Sequence, residues 1–148
     1  MNESDKGKIE VAIFEEFASR AELDIVPGSL KKELPPYPDL SYKIAGEGKL
    51  WIELTEACAP EFKQAINNPP DDGSSVAVWG GDVSVETIRK KIRKRYDVKE
   101  PVDLLLYTNG ATAMTDGILK AFIEPVLRKG TGRFRHVWLM GDQVHLIK

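Results

Sequence analysis

A single cysteine, Cys58, stands among 148 residues, so neither an intramolecular disulfide nor a cysteine-built zinc cluster can form. Histidine is nearly as scarce, and with His136 and His145 alone a histidine-rich transition-metal site is not expected. Any bound metal should therefore rest on oxygen donors. No apolar run approaches the roughly 20 residues that span a bilayer. The opening residues Met1–Lys6 lack both the apolar core and the cleavage site of a secretory signal. A cytoplasmic protein with no membrane partner is expected. A dominant charge is missing too: the formal net charge is −2, so a case for nucleic-acid binding must rest on local clustering.

What is present is ordinary globular material, 42% apolar and 30% charged, at the length of one domain and with no internal repeat or low-complexity segment. Residues 1–148 are read as a single domain.

Apolar spacing predicts a helix over residues 8–23, with Ile13, Phe14, Phe17, Ala18 and Ala21 on one stripe. Glu10 falls almost on the centre of that stripe; it either faces the protein body, where a buried acid needs a partner or a metal, or reaches water from a frayed first turn. Residues 27–38 hold Pro27, Pro35, Pro36 and Pro38 and read as an ordered loop. A hairpin follows, Leu40, Tyr42 and Ile44 alternating with Asp39, Ser41 and Lys43, and Leu50, Ile52 and Leu54 alternating with Trp51, Glu53 and Thr55. Residues 57–66 read as a short helix, 67–73 as a turn and 75–79 as a brief strand. Asp82 or Ser84 caps a helix running to about Tyr96. Val102–Tyr107 is a strand buried on both faces, residues 114–127 a helix, and residues 134–140 and 143–147 a closing hairpin. The sum is an α/β (α+β) fold with a mixed central sheet of five to six strands flanked by helices, Leu104 and Leu106 near its middle.

The hairpin carries the chemistry. A three-residue turn Gly46-Glu47-Gly48 sets Leu40 against Leu54, Asp39 against Thr55 and Ser41 against Glu53. Asp39 and Glu53 then share one face as diagonal neighbours about 7–8 Å apart at Cα, within reach of one ion. The plainer alternative is an exposed hairpin with one apolar and one polar face. Arg89, Lys90, Lys91, Arg93, Lys94 and Arg95 make the helix after residue 84 strongly basic, either as a solvated face or as a phosphate-binding one.

A helix with an inward Glu10, Pro38-Asp39 at a strand start, Glu53-Leu54-Thr55 on the partner strand, then a basic helix and a buried strand together resemble the PD-(D/E)xK nuclease superfamily. The resemblance runs over residues 8–148 and implies a restriction-endonuclease-like fold. It implies that Asp39 and Glu53 hold one or two Mg²⁺ (or Mn²⁺), that Leu54 offers its carbonyl, and that Glu10 adds a direct or outer contact. It implies phosphodiester hydrolysis of nucleic acid, DNA first, with Arg89, Lys90, Arg93 and Lys94 on the phosphates. Many nucleases of this kind act as homodimers. The departure is Thr55, where the superfamily usually carries a catalytic lysine. Lys43, on the hairpin's polar face, and Lys91, about 105° from the apolar stripe of its helix, are the two candidates to replace it.

Two other functions compete. A catalytically inactive nuclease-like module would bind nucleic acid or an acidic protein through the same basic helix. A different α/β enzyme would use the loop Thr108–Thr112 after the buried strand.

Overall fold

Hydrophobic alternation in the central strands places apolar side chains on both faces of one sheet, and helices cover each face. The computed structural model describes residues 3–57, 85–108 and 115–148. Described helices are α1 (Glu3–Arg20), α2 (Val85–Arg93) and α3 (Asp116–Arg128). Described strands are β1 (Lys31–Lys32), β2 (Leu40–Ile44), β3 (Gly48–Glu56), β4 (Val102–Tyr107), β5 (Phe134–Met140) and β6 (Val144–Leu146). They form one six-stranded mixed sheet in the order β1-β2-β3-β4-β5-β6. The β1-β2-β3 edge is antiparallel, β3-β4-β5 is parallel, and β6 returns antiparallel. The expected mixed α/β sheet is the observed one.

Both parallel crossovers step the same way across the sheet, so their right-handedness places α2 and α3 on one face. There Trp51, Leu104, Leu106, Val137 and Leu139 pack with Ile88 of α2 and Leu119 and Ile123 of α3. On the opposite face Phe14 and Phe17 of α1 pack on Leu40, Tyr42, Leu50, Ile52 and Leu54. Leu104, Leu105 and Leu106 are all fully buried, which is why β4 reads as a continuous apolar run. Among the described residues no helix is long and apolar enough to cross a membrane.

Several boundaries differ from the expected ones. α1 begins at Glu3 and stops at Arg20, short of residue 23, because Glu22 adopts a left-handed φ of 56° and the Leu23 amide turns back to the Ala18 carbonyl at 2.9 Å. α2 ends at Arg93 rather than near Tyr96, although Tyr96 stays buried in the same cluster. The proline-rich loop contains the two-residue edge strand β1, unforeseen because two lysines carry no alternation.

The hairpin register is also corrected. Leu40 pairs with Ile52, Tyr42 with Leu50 and Ile44 with Gly48, one residue pair away from the predicted alignment. The Glu47 amide closes on the Ile44 carbonyl at 2.9 Å, and Gly46 at φ 84° supplies the corner, so the loop is Ala45-Gly46-Glu47. The slip is two in residue sum, so the faces are unchanged, and Asp39 moves from a diagonal position to one directly facing Glu53. The predicted helix at 57–66, turn at 67–73 and strand at 75–79, together with Cys58, Asp82, Ser84 and most of the 108–112 loop, lie outside the described residues.

Candidate functional site

β3 is longer than β2, and that mismatch builds the site. Beyond the Leu40–Ile52 pair, the Leu54 amide has no strand partner, and a buried amide must be satisfied. Asp39, immediately before β2, satisfies it: Leu54 N donates to Asp39 Oδ2 at 2.9 Å. In return Asp39 N donates to Glu53 Oε1 at 3.0 Å. The two acids are locked together through backbone amides as well as by facing register.

Glu53 is 1% exposed and lies beneath the end of α2. Its Oε2 accepts from Lys91 Nζ at 2.8 Å and from the Tyr96 hydroxyl at 3.1 Å, with Lys94 Nζ at 3.7 Å. Burial first, and then the charge and hydrogen bond of Glu53, raise the Tyr96 pKa, so the phenol stays a donor. Lys91 belongs to the half-buried flank of α2, and its long stem carries the ammonium over to the carboxylate.

Glu10 points inward from α1, its side chain 6% exposed, and accepts from Lys32 Nζ at 2.9 Å. Lys32 Nζ also stands 3.8 Å from Asp39 Oδ1. Three carboxylates, Glu10, Asp39 and Glu53, are thus interleaved with the ammonium groups of Lys32, Lys91 and Lys94. Of these, Glu10, Asp39 and Lys91 line a cleft of about 530 Å³ at the carboxyl ends of β3 and β4, together with Leu54, Thr55 and Tyr107, while Glu53 lies buried behind it. Strand carboxyl ends are where open α/β sheets commonly place ligands.

The structure brings Asp39, Glu53, Leu54, Glu10 and Lys91 together, with Thr55 at the rim. Lys43 is elsewhere: it pairs with Lys49, four residues before Glu53 on β3, about 13 Å along the strand. Of the two candidate lysines, only Lys91 reaches the carboxylates. Arg89 and Arg93 lie on the outer side of α2 against Glu86, at 3.9 and 3.2 Å, and Lys90 is exposed beside them. Lys94 faces Glu53 rather than standing wholly free for phosphate. Lys32 was not anticipated, since nothing in a lysine pair within a proline-rich segment marks it, and Tyr96 was anticipated only as the end of its helix. Trp51 is buried under the α2–α3 layer.

Among the described residues no group of three or more His, Cys, Asp or Glu is arranged to hold a metal. Glu53 has both oxygens engaged by protein donors. Asp39 differs. Burial raises its pKa in spite of the Leu54 amide, Lys32 and Lys91, and Glu10 adds to the rise. Its Oδ1 accepts no hydrogen bond from a described residue, with Lys32 the nearest cation. A partly buried carboxylate beside Glu10, with one oxygen that accepts no hydrogen bond and opens to a cleft, has the hard oxygen donor that a divalent cation takes.

Set against family models, curated proteins and solved structures, the chain matches none of them.

Proposed function

We propose that this protein is a metal-dependent nuclease of the PD-(D/E)xK, restriction-endonuclease-like kind, hydrolysing nucleic-acid phosphodiester bonds. The observation that carries the proposal is the convergence of Asp39, Glu53 and Lys91 at one strand end, with the lysine arriving from α2 in place of Thr55. Asp39 and Glu10 would hold Mg²⁺ or Mn²⁺, which supplies neutralisation of the charge building on the phosphate oxygens. Lys91 steadies the same phosphate from the cleft wall. It can leave Glu53 for that task because Tyr96, Lys94 and the Asp39 amide continue to serve the buried carboxylate. Lys90, with Arg89 and Arg93, holds the polyanion by contacts that carry no sequence information. In this reading the protein works in the cytoplasm, on DNA first, as a monomer or a homodimer.

One observation favours a second reading, a nuclease-like binding module without catalysis: Glu53 is already saturated by Lys91, Tyr96 and the Asp39 amide. The test is cleavage of plasmid, single-stranded DNA and RNA in Mg²⁺ and Mn²⁺ by the wild type, Asp39→Ala and Lys91→Ala. Metal-dependent cleavage lost in both variants supports the nuclease. Cleavage retained in both removes these residues from the mechanism, and binding without cleavage in the wild type supports the module.

A further inference from the structure

The sheet face shared with α2 and α3 carries a second cationic surface at its β1 edge. Lys31 pairs with Ser41, Ser41 with Trp51, and Lys43 with Lys49, so strand alternation sets all of them on one face. Lys31, Lys43 and Lys49 are exposed and line a cleft of about 400 Å³ with Ser29, Glu33 and Ser41. None of the three lysines forms an ion pair with a described residue. Two carboxylates stand near them: Glu33, in the same cleft, accepts from the Ser41 hydroxyl at 2.8 Å, and Glu100 accepts from Trp51 Nε1 at 3.0 Å and feels the charge of Lys49.

Lys43 and Lys49 face each other directly across the ladder, a like-charge pair that costs stability. In a chain of formal net charge −2, three exposed lysines against Glu33 leave this cleft net positive, and a net positive cleft is complementary to a polyanion. An aromatic platform adjoins it. Tyr37, 44% exposed, stacks on Trp51 at 5.7 Å with an interplanar angle of 14°. Lys49 Nζ stands 4.3 Å from the Trp51 ring. An exposed ring, braced from below and flanked by ammonium groups, matches the combination of stacking surface and charged groove that holds single strands.

We infer that this face binds single-stranded nucleic acid, phosphates on Lys31, Lys43 and Lys49 and an unpaired base on Tyr37. Trp51 is two residues before Glu53 on β3, about 6.6 Å along the strand, so a bound strand is led toward the Asp39 cleft. That last step rests on the nuclease reading; the binding does not.

The test is anisotropy of a labelled single strand of about 12 nucleotides, within the site sizes such grooves span, and of the matching duplex, in EDTA across a salt series. Lys31→Gln/Lys43→Gln/Lys49→Gln should weaken single-strand binding at least tenfold at low salt. It should also flatten the slope of log affinity against log salt by about 2, since each phosphate contact on a single strand contributes about 0.7. Tyr37→Leu should weaken the single strand about fivefold or more, leave the slope unchanged and leave the duplex alone. Unchanged single-strand affinity in the triple variant overturns the inference, as does an equal Tyr37→Leu effect on both nucleic acids. Circular dichroism confirms that each variant is folded. If binding behaves as expected while the wild type cleaves nothing, the binding face stands and the nuclease reading falls.

Discussion

Lys91 donates to Glu53 Oε2 at 2.8 Å from the half-buried flank of α2, beside the apolar stripe that packs on the same sheet face, so a side chain at the border of that stripe neutralises a buried acid of β3. Removing Lys91 leaves that carboxylate with Tyr96, the Asp39 amide and the more distant Lys94. Lys91→Ala should therefore cost about 1–2 kcal/mol, at the lower end for a buried acceptor that loses a charged donor. In a Glu53→Gln background the same substitution should cost clearly less. Urea unfolding of the four proteins gives the coupling directly, and additive effects would show that the pair does not exist in solution.

Two aspartates should respond to pH with opposite signs. Burial raises the Asp39 pKa, so between the ordinary aspartate value and its folded value the native state holds more protons than the unfolded chain, and stability falls as pH rises. Asp39→Asn keeps an oxygen for the Leu54 amide and removes that penalty, so its stability relative to wild type should improve from about pH 3.5 to pH 7. Asp116 is the reverse. Burial pushes it up, but the amides of Asp142 and Gln143 and the His145 ring together hold it below the ordinary value. Its contribution is present above the unfolded pKa and is lost as pH falls through the folded one. Asp116→Asn should be costly at pH 7 and progressively less so in acid. Urea midpoints at both pH values separate the two cases, and parallel pH trends would contradict both assignments.

How far these features were legible depends on the kind of signal each residue carries. Alternation in Leu40–Ile44 and Leu50–Leu54 assigns faces whatever the register, and a slip of two preserves them, so Asp39 and Glu53 were correctly placed together although their alignment was not. The slip was invisible because Gly46 and Gly48 both take positive φ, at 84° and 81°, and composition does not say which of them turns the corner. Helical angle put Glu10 on the apolar stripe but left open whether it faced the body or reached water from a frayed turn; the Lys32 contact shows that it faces inward. Helical angle could not choose between Lys43 and Lys91, since reach depends on the packing of α2 against β3. Lys32 had no signal at all. A two-residue strand is defined by its partner, and its role emerges only when Glu10 and Asp39 arrive from other elements.

A second buried acid rests on one arginine. β5 bulges at Arg135, since Val102 pairs with Phe134 and Asp103 with His136, and the extra residue turns its guanidinium onto Asp103. Arg135 donates from Nε and Nη2 to the two Asp103 oxygens at 3.1 and 3.2 Å, and Trp138 Nε1 adds a third donor at 3.2 Å. Asp103 is 3% exposed. Arg135→Ala leaves it charged with only the indole, which should cost on the order of 2–3 kcal/mol. Arg135→Lys should recover part of this, because an ammonium restores charge without the two-pronged geometry. Thermal unfolding ranks the three proteins, and a lysine variant equal to wild type would show that charge alone suffices.

Gly141 is required by what lies against it. A Cβ at that position would overlap Asp116 Oδ1, the atom that accepts from the Asp142 amide at 2.9 Å. Asp116 Oδ2 accepts from the Gln143 amide at 3.0 Å and meets His145 Nε2 at 2.8 Å, so one carboxylate at the start of α3 holds the whole β5–β6 turn. From α1, Arg20 donates to the carbonyls of Gly141 and Asp142 at 3.3 and 2.7 Å. β6 has three residues and pairs only with β5, at the edge of the sheet. Gly141→Ala must displace Asp116 and should cost about 1–3 kcal/mol, the scale for losing hydrogen bonds to a charged group. The loss should be local first, with faster amide exchange across Val144–Leu146 than in β4 or β5. If displacement of Asp116 is the cause, adding Gly141→Ala to Asp116→Ala should cost almost nothing further; a double variant as costly as the two singles combined would place the damage in the backbone of the turn.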